Sequence, residues 1–156
     1  MKFGLVFVAL SGLTIVGAAR AQNDLSQNYL SMPGVIRPQQ AHIDYMLKCQ
    51  GCHRIDGSGD TVSNPPMNQK VARFLSVPGG RAFLGRVPGV ATVDLDDARL
   101  ADVLNWTLYR FDRANLPKGF KPYTAAEIAI LRSRPLRTER AAARAALVAQ
   151  MPGGTL

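Results

Sequence analysis

The apolar positions read as an all-α chain. Ile43, Met46 and Leu47 lie at helical spacing in a stretch from 39 to 50, which predicts a helix with those residues, Met46 among them, packed inward. Leu100, Val103, Leu104 and Leu108 form a second apolar stripe over about 97 to 110, opened by Asp94 or Asp96 as cap, with acids in the first turn to suit the helix dipole. A weaker helical pattern covers Asn68 to Leu75, and the Pro78-Gly79-Gly80 and Pro88-Gly89 strings predict loops. Further on, Thr124-Ala125-Ala126-Glu127 is a capping box that opens a short helix through Ile128, Ile130 and Leu131, stopped by Pro135. A last helix of about 139 to 150, capped by Thr138 and ended by Pro152-Gly153-Gly154, is rich in alanine and poor in large apolar groups, which predicts loose docking.

The first residues follow a different plan. Residues 3 to 19 carry no charge, follow Lys2 and close on Ala19-Arg20-Ala21, the layout of a signal peptide cleaved after Ala21. The competing reading is an uncleaved anchor, for which the run is a little short of the roughly 20 apolar residues of a spanning helix and holds glycines. Export, in a bacterium to the periplasm, is the expectation.

Composition adds little until charge is placed along the chain. At 156 residues, 47% hydrophobic and 19% charged, the sequence is that of one small globular domain. Gln22 to Tyr109 holds eight Lys or Arg and eight Asp, whereas Arg110 to Leu156 holds nine Lys or Arg against Asp112, Glu127 and Glu139. The whole excess of the cleaved chain therefore sits in the last 47 residues. Such a surface is either a solvated face or a docking site for an acidic redox partner or an anionic membrane surface. Nucleic acid is not an expected partner after export.

The candidate chemistry lies at the end of the first helix. The chain has two cysteines, and in an exported protein a disulfide is the default. Their setting, Cys49-Gln50-Gly51-Cys52-His53, is instead the C-x-x-C-H haem-attachment motif, in which both thiols add to the haem and the histidine ligates its iron. Residues three and four apart share one helical face, so both sulfurs and the imidazole can converge on one macrocycle. A thioredoxin-like redox pair wants a βαβ context that is not found here, and a zinc site lacks a second C-x-x-C.

With that motif, the chain from about Gln39 to Phe111 resembles the class I cytochrome c family. Ala41 and Tyr45 match the family's small and aromatic residues eight and four positions before the first cysteine, and Trp106 matches the aromatic of the last helix that crosses there. Asp56-Gly57-Ser58-Gly59-Asp60 is similar to the family's glycine-bearing turn; its acids also echo a calcium loop, but no bidentate Glu follows where that loop needs one. The resemblance implies a cytochrome c fold of three to four helices around one covalent haem c. It implies that Pro65, twelve residues past His53, accepts a hydrogen bond from the ligand imidazole. The resulting layout is a signal peptide at 1–21, a lead segment at 22–38, a haem domain at 39–111 and a basic helical extension at 112–156.

One family feature is missing. Where the family places an axial methionine ahead of a proline, this chain reads Gly85-Arg86-Val87-Pro88-Gly89, and valine cannot bind iron. Met67, fourteen past His53, is the candidate sixth ligand, although it occupies a family core position that is usually leucine. His42 reads as a surface histidine, and Met32 and Met151 lie on less constrained segments. Loss of a thioether ligand implies a lower potential and an open or weakly held sixth position. The expected activity is single-electron transfer with a partner oxidoreductase. The alternatives are an open-site haem protein that binds or reduces carbon monoxide, nitric oxide or peroxide, and an electron-transfer subunit of a larger dehydrogenase or oxidase. No spare histidine is placed as a distal acid/base group, which argues against an enzyme.

Overall fold

The structure is a computed structural model that describes residues 32–60 and 63–156. The predicted signal peptide, and the lead segment as far as residue 31, lie outside the described residues. Met32–Leu156 forms one unit, helical and without a strand among the described residues.

Helix α1, Pro38–Lys48, starts on a proline, whose fixed φ suits the first helical position. Its buried face is Ala41, Asp44 and Tyr45, while Ile43, Met46 and Leu47 point outward, 42%, 41% and 72% exposed. The apolar spacing therefore predicts the wrong face, and Met46 does not pack. The inner face is decided by α5, Asp97–Asp112, which crosses here and fits a small residue at 41 and an aromatic at 45. Tyr45 lies 5.2 Å from both the Trp106 and Phe111 rings, and His42 stacks on Trp106 at 5.1 Å. Buried Asp44 is admissible because Arg99 and Gln40 bond its carboxylate; burial pushes its pKa up, but those bonds and the Arg99 and Arg37 charges bring it below the usual value. Asp102 does the same for the start of α1, accepting from the Ile36 backbone N–H and Arg37 Nε.

Between the crossing helices the chain makes α2, Gln50–His53, a 3₁₀ helix at Val71–Ser76, α3 at Gly80–Arg86 and α4 at Pro88–Ala91. The two Pro-Gly strings expected to be loops instead open helices. Gly79 takes φ 84° as the cap of α3, and a Cβ on Gly80 would overlap the Phe74 carbonyl oxygen. Pro88 sits at the first position of α4. The weak pattern at 68–75 is realised as the shorter 3₁₀ turn. Asp96 rather than Asp94 caps α5, accepting from the Arg99 N–H at 2.8 Å.

The C-terminal extension packs on the rest. In α6, Ala125–Arg132, the capping-box Thr124 accepts from Glu127 N–H, and Ile128 is fully buried. Fully buried Asn105 of α5 donates to the Gly34 and Tyr123 carbonyls and accepts from Tyr123 N–H, so Tyr123 joins the core around Leu100 and Leu108. Arg81 grips Glu127 with two bonds of 2.6 Å and lies 4.1 Å over the Tyr123 ring. Helix α7, Arg140–Ala149, is not loose: Leu147 and the following Met151 are buried in a second core with Phe74, Val77, Phe83 and Leu136. Thr138 does not cap it; Glu139 precedes it with no side-chain cap.

Arg132 is the densest of these links. Its guanidinium donates to the carbonyls of Ala91, Val93 and Leu95 at 3.2, 2.5 and 2.6 Å and pairs with Asp97 at 3.1 Å. Arg132→Ala should destabilise the protein by about 3 kcal/mol, roughly 10 °C in Tm, through loss of these bonds in a half-buried setting. Arg132→Lys should recover little, because one ammonium cannot match a planar fork. Thermal unfolding followed by circular dichroism reads both.

Candidate covalent haem site

The helical path slips at Cys49, with φ −122°, and resumes as the single turn of α2. Cys52 and His53 N–H groups both donate to the Cys49 carbonyl, at 3.2 and 3.0 Å. The cysteines and the histidine thus share one turn. Arg54 then reverses the chain in the left-handed region, φ 61°, and the Tyr45 hydroxyl pins that reversal by donating to the Arg54 carbonyl at 2.6 Å. One aromatic ring therefore serves both the helix crossing and the site.

The acid-bearing turn that follows folds back on itself. Asp56 accepts from Ser58 N–H, and the Asp60 carboxylate accepts from Ser63 N–H, Asn64 N–H and the Asn64 side chain. These acids are spent on turn geometry, and among the described residues no cluster of His, Cys, Asp or Glu could hold a metal ion. A Cβ on Gly59, at φ 63°, would overlap the Asn64 carbonyl oxygen, so this close return needs glycine. It delivers Pro65 to the side of His53.

The electrostatics of the turn separate its two candidate chemistries. Burial raises the Cys49 thiol to about 11, with the Asp44 and Cys52 charges adding to it. A redox-active C-x-x-C needs the opposite shift, toward thiolate. Cys49 and Cys52 are free thiols, the first half-buried and the second exposed. Burial lowers the His53 pKa, opposed by the Asp60 charge and the Pro65 carbonyl. The neutral ring is the form that ligates a metal. Nδ1 of His53 is buried without a complete hydrogen bond; the Pro65 carbonyl is close enough to favour its proton but does not close the expected bond.

These residues fit a haem. Two free thiols flank a half-buried imidazole that is held neutral and lacks a full hydrogen bond. Cys49 also joins a core whose half-buried members include Leu75, Leu84, Val90, Val93 and Leu104. A macrocycle attached at Cys49 would cover apolar surface of this kind. Met67 is 9% exposed and packs in the same core, with Tyr45, Trp106 and Phe111, its N–H donating to the Gly57 carbonyl. Its position is that of a packing residue. Val87 is half-buried against the second core, beside Phe83, Leu147 and Met151.

The motif in sequence located the turn but not its supports. Nothing local marked the Tyr45 bond to Arg54, the left-handed Arg54 or the fan of Arg132, since each depends on a partner 9 or more residues away.

An all-α chain with C-x-x-C-H on one helical turn, its first cysteine packed against an apolar core, defines a c-type cytochrome. The chain belongs to the monohaem c-type cytochromes: over 130 residues, 72% of this chain and 88% of the relative, it is 30% identical to a cytochrome c-552 of Thermus thermophilus. A second cytochrome c-552 of Thermus thermophilus is 32% identical over 111 residues, 60% of this chain and 85% of the relative. No family model matches the chain, and no solved structure matches it. The protein is an electron carrier with a covalently bound haem c.

Proposed function

We propose that this cytochrome works outside the cytoplasm, in the periplasm, passing single electrons to or from a partner oxidoreductase, with the sixth position of its iron not filled by methionine. In this reading Cys49 and Cys52 would hold the haem through thioethers and His53 would supply a nitrogen ligand to its iron. The observation that carries it is the placement of the three residues on one helical turn. The bound haem supplies a reversible one-electron couple. The protein's own groups do the positioning: burial keeps His53 neutral, Pro65 approaches its Nδ1 side, and Tyr45 holds the turn beneath it. Among the described residues no helix is long and apolar enough to cross a membrane. The uncharged run at 3–19 supports export.

Val87, in place of the family's methionine, favours a second reading, in which the open iron binds a small ligand. Carbon monoxide added to the ferrous protein tests it. Rapid binding with an optical shift is expected if the sixth position is open or held by water, and no shift would mean that a protein side chain fills it. Val87→Met should create a sulfur ligand, seen as a weak far-red band, and raise the potential. The rise should be on the order of 100 mV, part of the roughly 0.8 V over which axial ligands tune haem. An unchanged spectrum and potential would place the 85–89 segment away from the iron.

A further inference from the structure

The fold sorts the cations of the extension. Arg132 is paired with Asp97, and Arg134, Arg137 and Arg140 share one exposed stretch with Glu139. Arg110, Arg113, Lys118 and Lys121 come together elsewhere. After α5 the chain makes a 3₁₀ turn, Arg113–Asn115, and returns along the helix it has just left: Phe120 meets Tyr109 with ring centres 6.1 Å apart, and Tyr123 N–H reaches Asn105 at 2.8 Å. Exposed Lys118 and Lys121 flank Phe120 on the returning segment, while the Arg113 guanidinium lies 5.2 Å over the Tyr109 ring. Exposed Arg110 stands next to Phe111, whose ring packs 5.2 Å from that of Tyr45. The result is one strip of four cations around two half-buried aromatic rings. Nearby acids do not cancel its charge. From Tyr109 to Lys121 the one acid is Asp112, which is 3% exposed and spends its oxygens on Ala72 N–H and the Asn115 amide. Glu127 is gripped by Arg81, and Asp56, which shares the surroundings of the Tyr45 hydroxyl with Arg110, offsets at most that one cation. Neither Lys118 nor Lys121 forms an ion pair among the described residues.

We propose that the strip from Tyr109 to Lys121 seats the protein on an anionic lipid bilayer, its cations against headgroup phosphates, which rests on the export reading above. The cations are spread along a helix end and its return loop rather than gathered on one point. That arrangement suits a surface of many mobile anions better than a single fixed one. The rings between them fit the same surface: Tyr109, apolar in its body and polar at its tip, belongs at a bilayer–water boundary, and Phe120 adds apolar area beside it. Attraction of this kind confines a carrier to the surface on which membrane-bound oxidoreductases are met, and it weakens with salt.

The test sediments the holoprotein with vesicles of phosphatidylcholine, alone or in equal parts with phosphatidylglycerol, and reads the bound fraction from haem absorbance in the pellet. At low salt the protein should pellet with the anionic vesicles and not with the neutral ones, and raising the salt should release it. Lys118→Ala/Lys121→Ala should weaken binding about twenty-five-fold, each exposed cation at a bilayer counting for roughly fivefold. Arg134→Ala/Arg137→Ala removes the same charge from exposed positions outside the strip and should weaken binding by about twofold at most. An equal loss in the two pairs would overturn the proposal in favour of net charge alone, as would an unchanged affinity in the lysine pair. Equal pelleting with neutral vesicles would also overturn it. Polyglutamate bound by the wild type more tightly than anionic vesicles of equal total charge, and lost in the lysine pair, would assign the strip to an acidic protein instead. Failure of the export reading looks different: the haem-bearing chain would be recovered from the cytoplasm, with vesicle binding by the purified protein intact.

Discussion

Truncation after Phe111 should leave a chain that does not fold. The extension puts Tyr123 and Ile128 into the core shared with Tyr45, Leu100 and Trp106, and Leu136, Leu147 and Met151 into the core of Phe74 and Phe83. Burying each such side chain contributes roughly 1.5–3 kcal/mol, so the five together rival the whole stability of a typical domain, about 5–15 kcal/mol. Truncation would also strand Asn105, whose amide donates to the Tyr123 carbonyl from a fully buried position, and would leave Arg81 without Glu127. Circular dichroism should show loss of cooperative unfolding, and haem should fail to accumulate on the chain in cells. A truncated protein that melts cooperatively with its haem spectrum intact would mean that the extension is only an appendage.

Removing both thiols should end covalent attachment. In Cys49→Ser/Cys52→Ser, haem should no longer run with the chain on a denaturing gel stained for haem, and acidified solvent should extract it. Each single variant should retain one bond and a changed, less stable haem spectrum. The contrast with a dithiol switch lies in the Cys49 thiol. Raised to about 11, it is a poor thiolate donor at neutral pH, so thiol-disulfide exchange with small disulfides should be slow in the haem-free protein. Retention of extraction-resistant haem in the double variant would defeat the proposed roles of both residues.

Local features of the fold were legible because their physics is local. Thr124 and Glu127 lie within one helical turn, and so do Asp96 and Arg99; the caps form as the spacing predicts. The positions at 41, 45 and 106 were legible only through family resemblance, and the structure places them at one crossing. The apolar periodicity of α1 misled because Ile43, Met46 and Leu47 satisfy helical spacing as well as Ala41, Asp44 and Tyr45 do, and hydrophobicity alone picks the former. What decides is the partner: Arg99 makes Asp44 acceptable inside, and a large side chain at 41 would hold α5 away. The Pro-Gly strings misled for a related reason. Proline and glycine end helices and also begin them, and the choice at 79–80 is set by the close approach of Phe74.

By itself, then, the sequence determined the haem-attachment turn, the helical class and the two-part charge of this cytochrome, all of which follow from residues within a few positions of one another or from simple counts. Only the tertiary structure decided which face of α1 is buried and that the extension shares the cores of the haem segment. Those outcomes depend on partners tens of residues apart, such as Arg132 with Val93 or Asn105 with Gly34, whose meeting is set by the close packing of whole helices and by the need to satisfy each buried polar group.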